Sequence, residues 1–565
     1  MQRSRIKSVL RDIERTLRLA IRGKKPTAAS PPQVPRIQPD PAAASPPQIP
    51  RIQLDQDFGV ASALWENFLS QRPQARLDAE CARAVRILVS GEPNASRLME
   101  IQRSLTEAGL QPRAIEVSPP REFSRSLMAL LADADDRDFV WFMAEGDKLD
   151  FGARPLLAQA ERADVDLCLF DTYFVEGGRA FPQLHPGFNE ICGINCNYFR
   201  SRFIARAGAL RRVADATPLT DAYSTARALL HLRLQGEGVS GIHLPAAFIC
   251  IDDSRAAITQ ESEALIASSE AQFGTSGSGA TARPRRSVSV VICTKDKGHL
   301  LRLAVRGLLE TARDLVDEIV VVSHGSSNPY ALKTIDDLRR EQVRIVAYEG
   351  PFNFSRQCNL AARTTASPFI LFMNDDVVPV TSDWLARLLA PFDNPAVGMT
   401  GPLLLYPNET VQHAGMFLDH YGIAGHTLRS ARLPSGDYLF MTQAPREVSC
   451  LTGAALVIDR QLFDDLNGFD PLLGTIGQDV DLSLRVNRSG RRLIFNPQSV
   501  LLHMESTSLR DVLEDPAVLA TREREVAYFR RRWSHAVAQD AFHNPVFDPQ
   551  AENLRSLSPH HSAKD

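Results

Sequence analysis

A run of five apolar residues, Phe369 to Met373, stands between Pro368 and the acidic tip Asn374-Asp375-Asp376, with Pro379 close behind. So short a run, apolar at every position, suits a strand in the interior of a parallel sheet, buried on both faces. Ligands of open α/β sheets bind beyond the carboxyl ends of such strands, which is where this run delivers its carboxylates. Side by side, two carboxylates repel unless a cation lies between them. A divalent ion holding a diphosphate answers that need with oxygen ligands. An isolated Asn-Asp-Asp also reads as a solvated turn, so the surrounding sequence has to decide.

At 565 residues the chain exceeds what one core can serve, and its length suits roughly three or four domains. Hydrophobic residues make up 44% and charged residues 23%, a globular composition. The formal net charge of −3 supplies no global positive field, so no nucleic-acid partner is expected. Eight cysteines are scattered without a CxxC pair, several of them in apolar runs, as buried reduced thiols of a cytoplasmic protein would be. No apolar run approaches the roughly 18 residues of a membrane span, and the N-terminus lacks the apolar core of a secretory signal. A cytoplasmic location is the expectation.

Residues 1–25 read as a basic amphipathic helix, with Ile6, Val9, Leu10, Ile13 and Leu17 at helical spacing among Arg3, Arg5, Lys7, Arg11, Arg15 and Arg18. Such a helix can lie on the anionic inner face of a cell membrane as a peripheral contact, or dock its stripe on a protein surface. Residues 26–56 then repeat themselves, Ala28 to Gln38 returning as Ala43 to Gln53. Proline at that density makes an extended spacer, with a proline-rich ligand for a partner as the alternative. Residues 57–260 regain a globular pattern, with strands expected at 84–89, 139–143 and 165–170. A Gly- and Ser-rich connector lies within 261–286, ahead of a second globular unit at 287–547 and a tail at 548–565.

The second unit alternates strands and helices. Val288 to Cys293 gives a strand, Leu300 to Leu309 a helix, Glu318 to Val322 a strand, and Arg344 to Tyr348 another before the run at 369–373. That alternation predicts a parallel, doubly wound α/β sheet with its polar loops gathered at one edge.

These residues resemble glycosyltransferase family 2, whose members have the GT-A fold and transfer sugars from nucleotide sugars with inversion. Asn374-Asp375-Asp376 resembles the family's Asp-x-Asp-type motif, and Pro351-Phe352-Asn353-Phe354-Ser355 with Asn359 resembles the segment leading into it. Leu404 to Pro407, Val411 to Gly415 and Ala424-Gly425-His426 are similar to a branch found in bacterial surface-polysaccharide gene clusters. Gly468-Phe469-Asp470 and the run Gln478 to Arg485 resemble the acidic catalytic segment, and Trp533 and Asn544-Pro545 match the usual ending of that branch. Residues 57–260 resemble a second, degenerate copy, in which Ala144-Glu145-Gly146-Asp147 and Thr220-Asp221-Ala222-Tyr223 replace the acidic motifs. The resemblance thus implies two GT-A-like, mostly parallel sheets in tandem, the first without catalysis.

The implied chemistry is metal-dependent hexosyl or deoxyhexosyl transfer from a nucleotide-sugar donor to a glycan or lipid-linked acceptor. Cleaving a sugar-phosphate bond builds charge on the departing diphosphate, and Mg²⁺ or Mn²⁺ would stabilise it. By resemblance Asp376 and His503 would hold that metal, although a lone histidine at a strand end is as readily structural. Thr294, Asp296, Ser323 and Asp375 would contact the nucleotide. The acceptor hydroxyl needs a base, and Asp479 is assigned that role; a plain helix cap is its bland alternative, and Asp481 the competing carboxylate. Two departures stand out. Gln478 replaces the family's usual Glu, and Ser323-His324-Gly325-Ser326 lacks an Asp that contacts the nucleoside. The second departure and the erosion of the first copy favour a rival reading, a non-catalytic nucleotide- or glycan-binding scaffold of a polysaccharide assembly machinery. His413 and His426 are given only an acceptor-side or structural role.

Overall fold

The computed structural model describes residues 84–251, 272–273, 286–504 and 516–558, apart from short stretches at 93, 150–152, 177–178, 434–437, 539 and 555. The basic helix at 1–25, the repeat at 26–56 and most of the connector lie outside the described residues. Two large sheets follow one another along the chain, beside a two-stranded one formed by Met416–Leu418 and Ala424–His426.

The first sheet is built from β1 (Val85–Ser90), β2 (Ala114–Ser118), β3 (Phe139–Ala144), β4 (Leu167–Glu176), β5 (Arg179–Gln183), β6 (Phe203–Arg206) and β7 (Gly241–Ile251). Its spatial order is β2-β1-β3-β6-β4-β7, closed by the short pair Lys148–Leu149, with β5 paired to β4. The second sheet contains β8 (Val288–Thr294), β9 (Val316–His324), β10 (Arg344–Tyr348), β11 (Phe369–Met373), β12 (Val377–Pro379), β13 (Val397–Leu405), β14 (Ala455–Asp459) and β15 (Arg492–His503). Its order is β10-β9-β8-β11-β14-β13-β15-β12. Apart from the extra edge strand β10, the second order repeats the first. Strand for strand, β1 corresponds to β8, β3 to β11, β6 to β14, β4 to β13 and β7 to β15.

Strands β10, β9, β8 and β11 run parallel, as the alternation predicts. Beyond β11 the sheet is mixed, because β14 pairs antiparallel with both β11 and β13. The sheet is thus the mostly parallel one expected, with an antiparallel strand set into its middle. β14 follows β13 through a long excursion that returns from the opposite side, a connection that carries no periodic signal. The two-sided burial of β11 is plain: Ile370 and Phe372 pack with Cys358 and Ala361 on one face, Leu371 and Met373 with Leu301 and Trp384 on the other. The described cysteines are free and mostly buried. None of the described helices is long and apolar enough to cross a membrane.

The two units share a polar and apolar seam. Asn189 exchanges hydrogen bonds with Glu447 in both directions, at 2.9 and 3.1 Å. Arg492 joins Glu190 and Glu447 at 2.8 and 2.9 Å, while Leu184 packs with Tyr438, Val546 and Phe547.

In the first unit, Asp147 stands directly before the short strand that pairs with β7, as Asp376 stands before β12. No substrate ion is needed there, because the Arg202 guanidinium grips Asp147 with two 2.9 Å bonds and both side chains are buried. A fixed cation thus sits against this carboxylate. Removing it strands a buried charge. Arg202→Ala is expected to cost roughly 3–5 kcal/mol in urea denaturation, whereas the double change Asp147→Leu with Arg202→Met should recover most of that loss.

Candidate functional site

Where β11 ends, the Asn374 N–H donates to the Ala454 carbonyl at 2.9 Å and so fixes the acidic tip against the start of β14. Asp375 and Asp376 follow, each 5% exposed. Thr294, the last residue of β8, donates its hydroxyl to Asp375 at 2.7 Å. Lys297, at the start of the next helix, sets its ammonium between the pair, 3.6 Å from Asp375 and 3.4 Å from Asp376. On the far side, β12 pairs with β15 so that Val377 meets His503, whose Nε2 lies 3.3 Å from Asp376 Oδ1. The Met504 N–H then closes on the Asp376 carbonyl at 2.9 Å. Burial raises the Asp375 pKa to about 6, against the pull of Lys297 and with the push of Asp376.

This donor set fits a divalent cation. A carboxylate and an imidazole converge at Asp376 and His503, and an ammonium already marks the point between the carboxylates that a positive charge must fill. Asp375 is turned instead to Thr294, consistent with a separate part for it.

The helix Gln478–Arg488 begins behind Gly477, whose φ of +75° is readily tolerated only by glycine. Its first turn presents two acids with opposite fates. Asp481 is fully buried and consumed: Arg485 holds it at 2.8 Å and the Trp533 indole donates to it at 2.9 Å. Asp479 is half-buried and, among the described residues, meets neutral donors: the N–H groups of Gly453 at 2.8 Å and Val480 at 2.9 Å, and the Thr452 hydroxyl. Burial raises its pKa, with those backbone bonds opposing. Desolvation outweighs those bonds. Gly453 adjoins Ala454, so Asp479 is carried on the backbone that anchors Asn374.

Residues 284–531, which contain all of this geometry except Trp533, match the family model described as "Glycosyltransferase like family 2". The C-terminal domain belongs to that glycosyltransferase family. The chain is 29% identical over 457 residues to the O-antigen biosynthesis protein RfbC of Myxococcus xanthus, covering 75% of this chain and 35% of the relative. It is 32% identical over 261 residues to the uncharacterized protein y4gI of Sinorhizobium fredii, covering 46% of this chain and 29% of that one. It thus spans about a third of the length of these curated relatives. Among solved structures, one described as GalNAc-T7 with UDP, GalNAc and Mn²⁺ overlaps with a TM-score of 0.35 at 20% identity, covering 45% of this chain and 52% of the other.

Within the glycosyltransferase domain, the structure gathers Thr294, Asp375, Asp376 and His503, and sets Asp479 beside them through Gly453 and Ala454. Asp296 and Ser323 go elsewhere. Asp296 has a φ of +57° and spends one carboxylate oxygen on the N–H groups of Ser327 and Asn328, both at 2.7 Å, clamping the loop after β9. Those bonds hold its pKa below the usual range. Ser323 only reaches Ser326, at 3.4 Å. His324 fills the corner of that loop, bonded to the Gly350 carbonyl at 2.9 Å and flanked by Tyr348 and Phe352. His413 and His426 form a buried pair, Nδ1 to Nδ1 at 3.0 Å. Because His413 Nε2 accepts from the Gly415 N–H, its Nδ1 carries the proton and donates to His426.

Two contributors have no signature in the sequence. Lys297 is one basic residue in a polar loop, and only the fold turns it between the acids. Glu525, on the helix Pro516–Val537, is buried and accepts from the N–H groups of Gly474, Thr475 and Ile476 at 2.9 to 3.1 Å. It thereby sets the loop that leads into the helix of Asp479. Glu525→Gln halves the accepting capacity and should lower stability by roughly 1–3 kcal/mol, measured by denaturant unfolding.

Proposed function

We propose that the C-terminal domain is a metal-dependent, inverting glycosyltransferase that moves a sugar from a nucleoside-diphosphate sugar to a glycan or lipid-linked acceptor, in the building of a bacterial surface polysaccharide. The observation that carries this reading is the contrast between two acids of one helix. Asp481 is neutralised by Arg485 and tied to Trp533, while Asp479 is half-open, touched by no cation among the described residues, and raised in pKa. A general base works best with a pKa lifted toward the operating pH. Asp479 would accept the acceptor hydroxyl's proton as that oxygen attacks the anomeric carbon. Asp376 and His503 would hold Mg²⁺ or Mn²⁺, which when bound draws off the charge gathering on the departing diphosphate. Thr294 and Asp375 would bind the nucleotide, and the clamp at Asp296 would shape the loop beside it. The first unit would take no donor, since Arg202 fills its cation position.

The surface-glycan assignment rests on the likeness to the O-antigen biosynthesis protein RfbC. The decisive experiment screens nucleotide sugars for metal-dependent hydrolysis and transfer by the purified chain. One observation favours the scaffold reading instead: Lys297 sits in the cation's position and would serve a protein that binds nucleotide without metal. Nucleotide binding unaffected by chelator, with no turnover of any donor, would select that alternative.

A further inference from the structure

In the first unit, far in sequence from the acids above, Asp171 on β4, His185 just after β5 and His243 on β7 bring one ligand atom each within 4.8 Å of one another. None is on the strand end that carries Asp147. The Asp171 and His185 side chains are fully buried, and that of His243 is 4% exposed. His243 Nε2 lies 2.9 Å from Asp171 Oδ1. The strongest indication is His185. Both of its ring nitrogens are buried without a hydrogen bond of ordinary geometry, and only a weak contact with the Phe170 backbone offsets their desolvation. An imidazole in that condition bears most of the desolvation cost of two polar atoms, which native cores rarely tolerate unless a ligand meets them.

We infer that Asp171, His185 and His243 bind a transition-metal ion at the seam between the first unit and the C-terminal segment, with zinc the best match. Two imidazoles and one carboxylate are the ligand types of a tetrahedral zinc site, whose fourth place water can take. Arg200, the other charge facing His185, adds repulsion, and this favours an ion bound strongly by nitrogen over Mg²⁺ or Ca²⁺. The supporting shell is present. The Asn544 amide donates to both Asp171 oxygens, at 3.1 and 2.9 Å, and to the His185 carbonyl at 3.0 Å. The His185 N–H donates to Asp171 at 2.7 Å. Outer partners of this kind orient metal ligands. They also give the ion a structural task, because Asn544 belongs to the C-terminal segment and Asp171 to the first sheet. An ion on Asp171 would fasten the two units together.

The test measures metal in the full chain carrying Asp376→Ala, which removes a ligand of the proposed catalytic ion. After chelator treatment and reloading with Zn²⁺, elemental analysis should find about one equivalent. Co²⁺ in its place should give the visible absorption of a tetrahedral site. Adding His185→Ala, and separately His243→Ala, should abolish both signals while circular dichroism keeps its folded form. Failure of the Asp376→Ala protein to take up Zn²⁺ or Co²⁺ overturns the inference without touching the catalytic reading, and so does uptake that survives in a folded His185→Ala variant.

Discussion

Asp479→Asn is expected to lower sugar transfer by roughly 10² to 10⁴, the usual contribution of general-base catalysis, with donor and metal binding almost unchanged. The amide retains the shape of the carboxylate but only one of its two acceptors, where Gly453 and Val480 donate to different oxygens, so a stability loss of roughly 1–3 kcal/mol should accompany the loss of turnover. Asp481→Asn should behave in the opposite way. Its carboxylate is buried beneath Arg485 and Trp533, so neutralising it leaves a buried guanidinium short of its counter-charge and should cost roughly 3–5 kcal/mol. Turnover per folded molecule should survive. Denaturant curves and initial rates, measured on both variants, separate the two roles. A folded Asp481→Asn protein that is dead, beside an active Asp479→Asn protein, would reverse the assignment.

The sequence ranked those two acids only by resemblance, since both lie in one short segment and both suit a helix start. Their difference is made by residues far away: Trp533 comes from a helix some fifty positions later, and Gly453 from the turn that leads into β14. Elements whose signal is local were legible. The β11 run, the tip at Asn374-Asp375-Asp376 and the parallel half of the second sheet all follow from burial on two faces and from alternation. The antiparallel insertion of β14 was not, because strand direction is set by which way a long connection returns. Asp296 shows a placement that no local pattern gives: its left-handed backbone aims one carboxylate oxygen at Ser327 and Asn328. The erosion of the first copy could be read from missing carboxylates. That Arg202 takes the cation's place depends on the return of β6 beside β3, which no local pattern announces.

Asp376→Ala is expected to abolish the thermal stabilisation that nucleoside diphosphate gives the protein in the presence of Mg²⁺ or Mn²⁺, because the ion would keep only His503 as a strong ligand. In the intact protein, chelator should have the same effect. The pH dependence distinguishes a true ion site from one served by Lys297. The folded-state pKa of Asp375, about 6, lies above its unfolded value. The folded protein therefore binds the extra proton, and stability arising from this group is present at acid pH and is lost as pH rises through 6. A divalent ion beside the pair favours the ionised form and should restore that loss, so metal-linked stabilisation should grow between about pH 5 and 7. Lys297→Met sharpens the comparison. Without the ammonium, the two carboxylates repel more strongly in the free protein and should gain more from the metal. If Lys297→Met instead removes nucleotide binding while chelator and Asp376→Ala leave it intact, the lysine is the working cation and the metal-dependent mechanism is wrong.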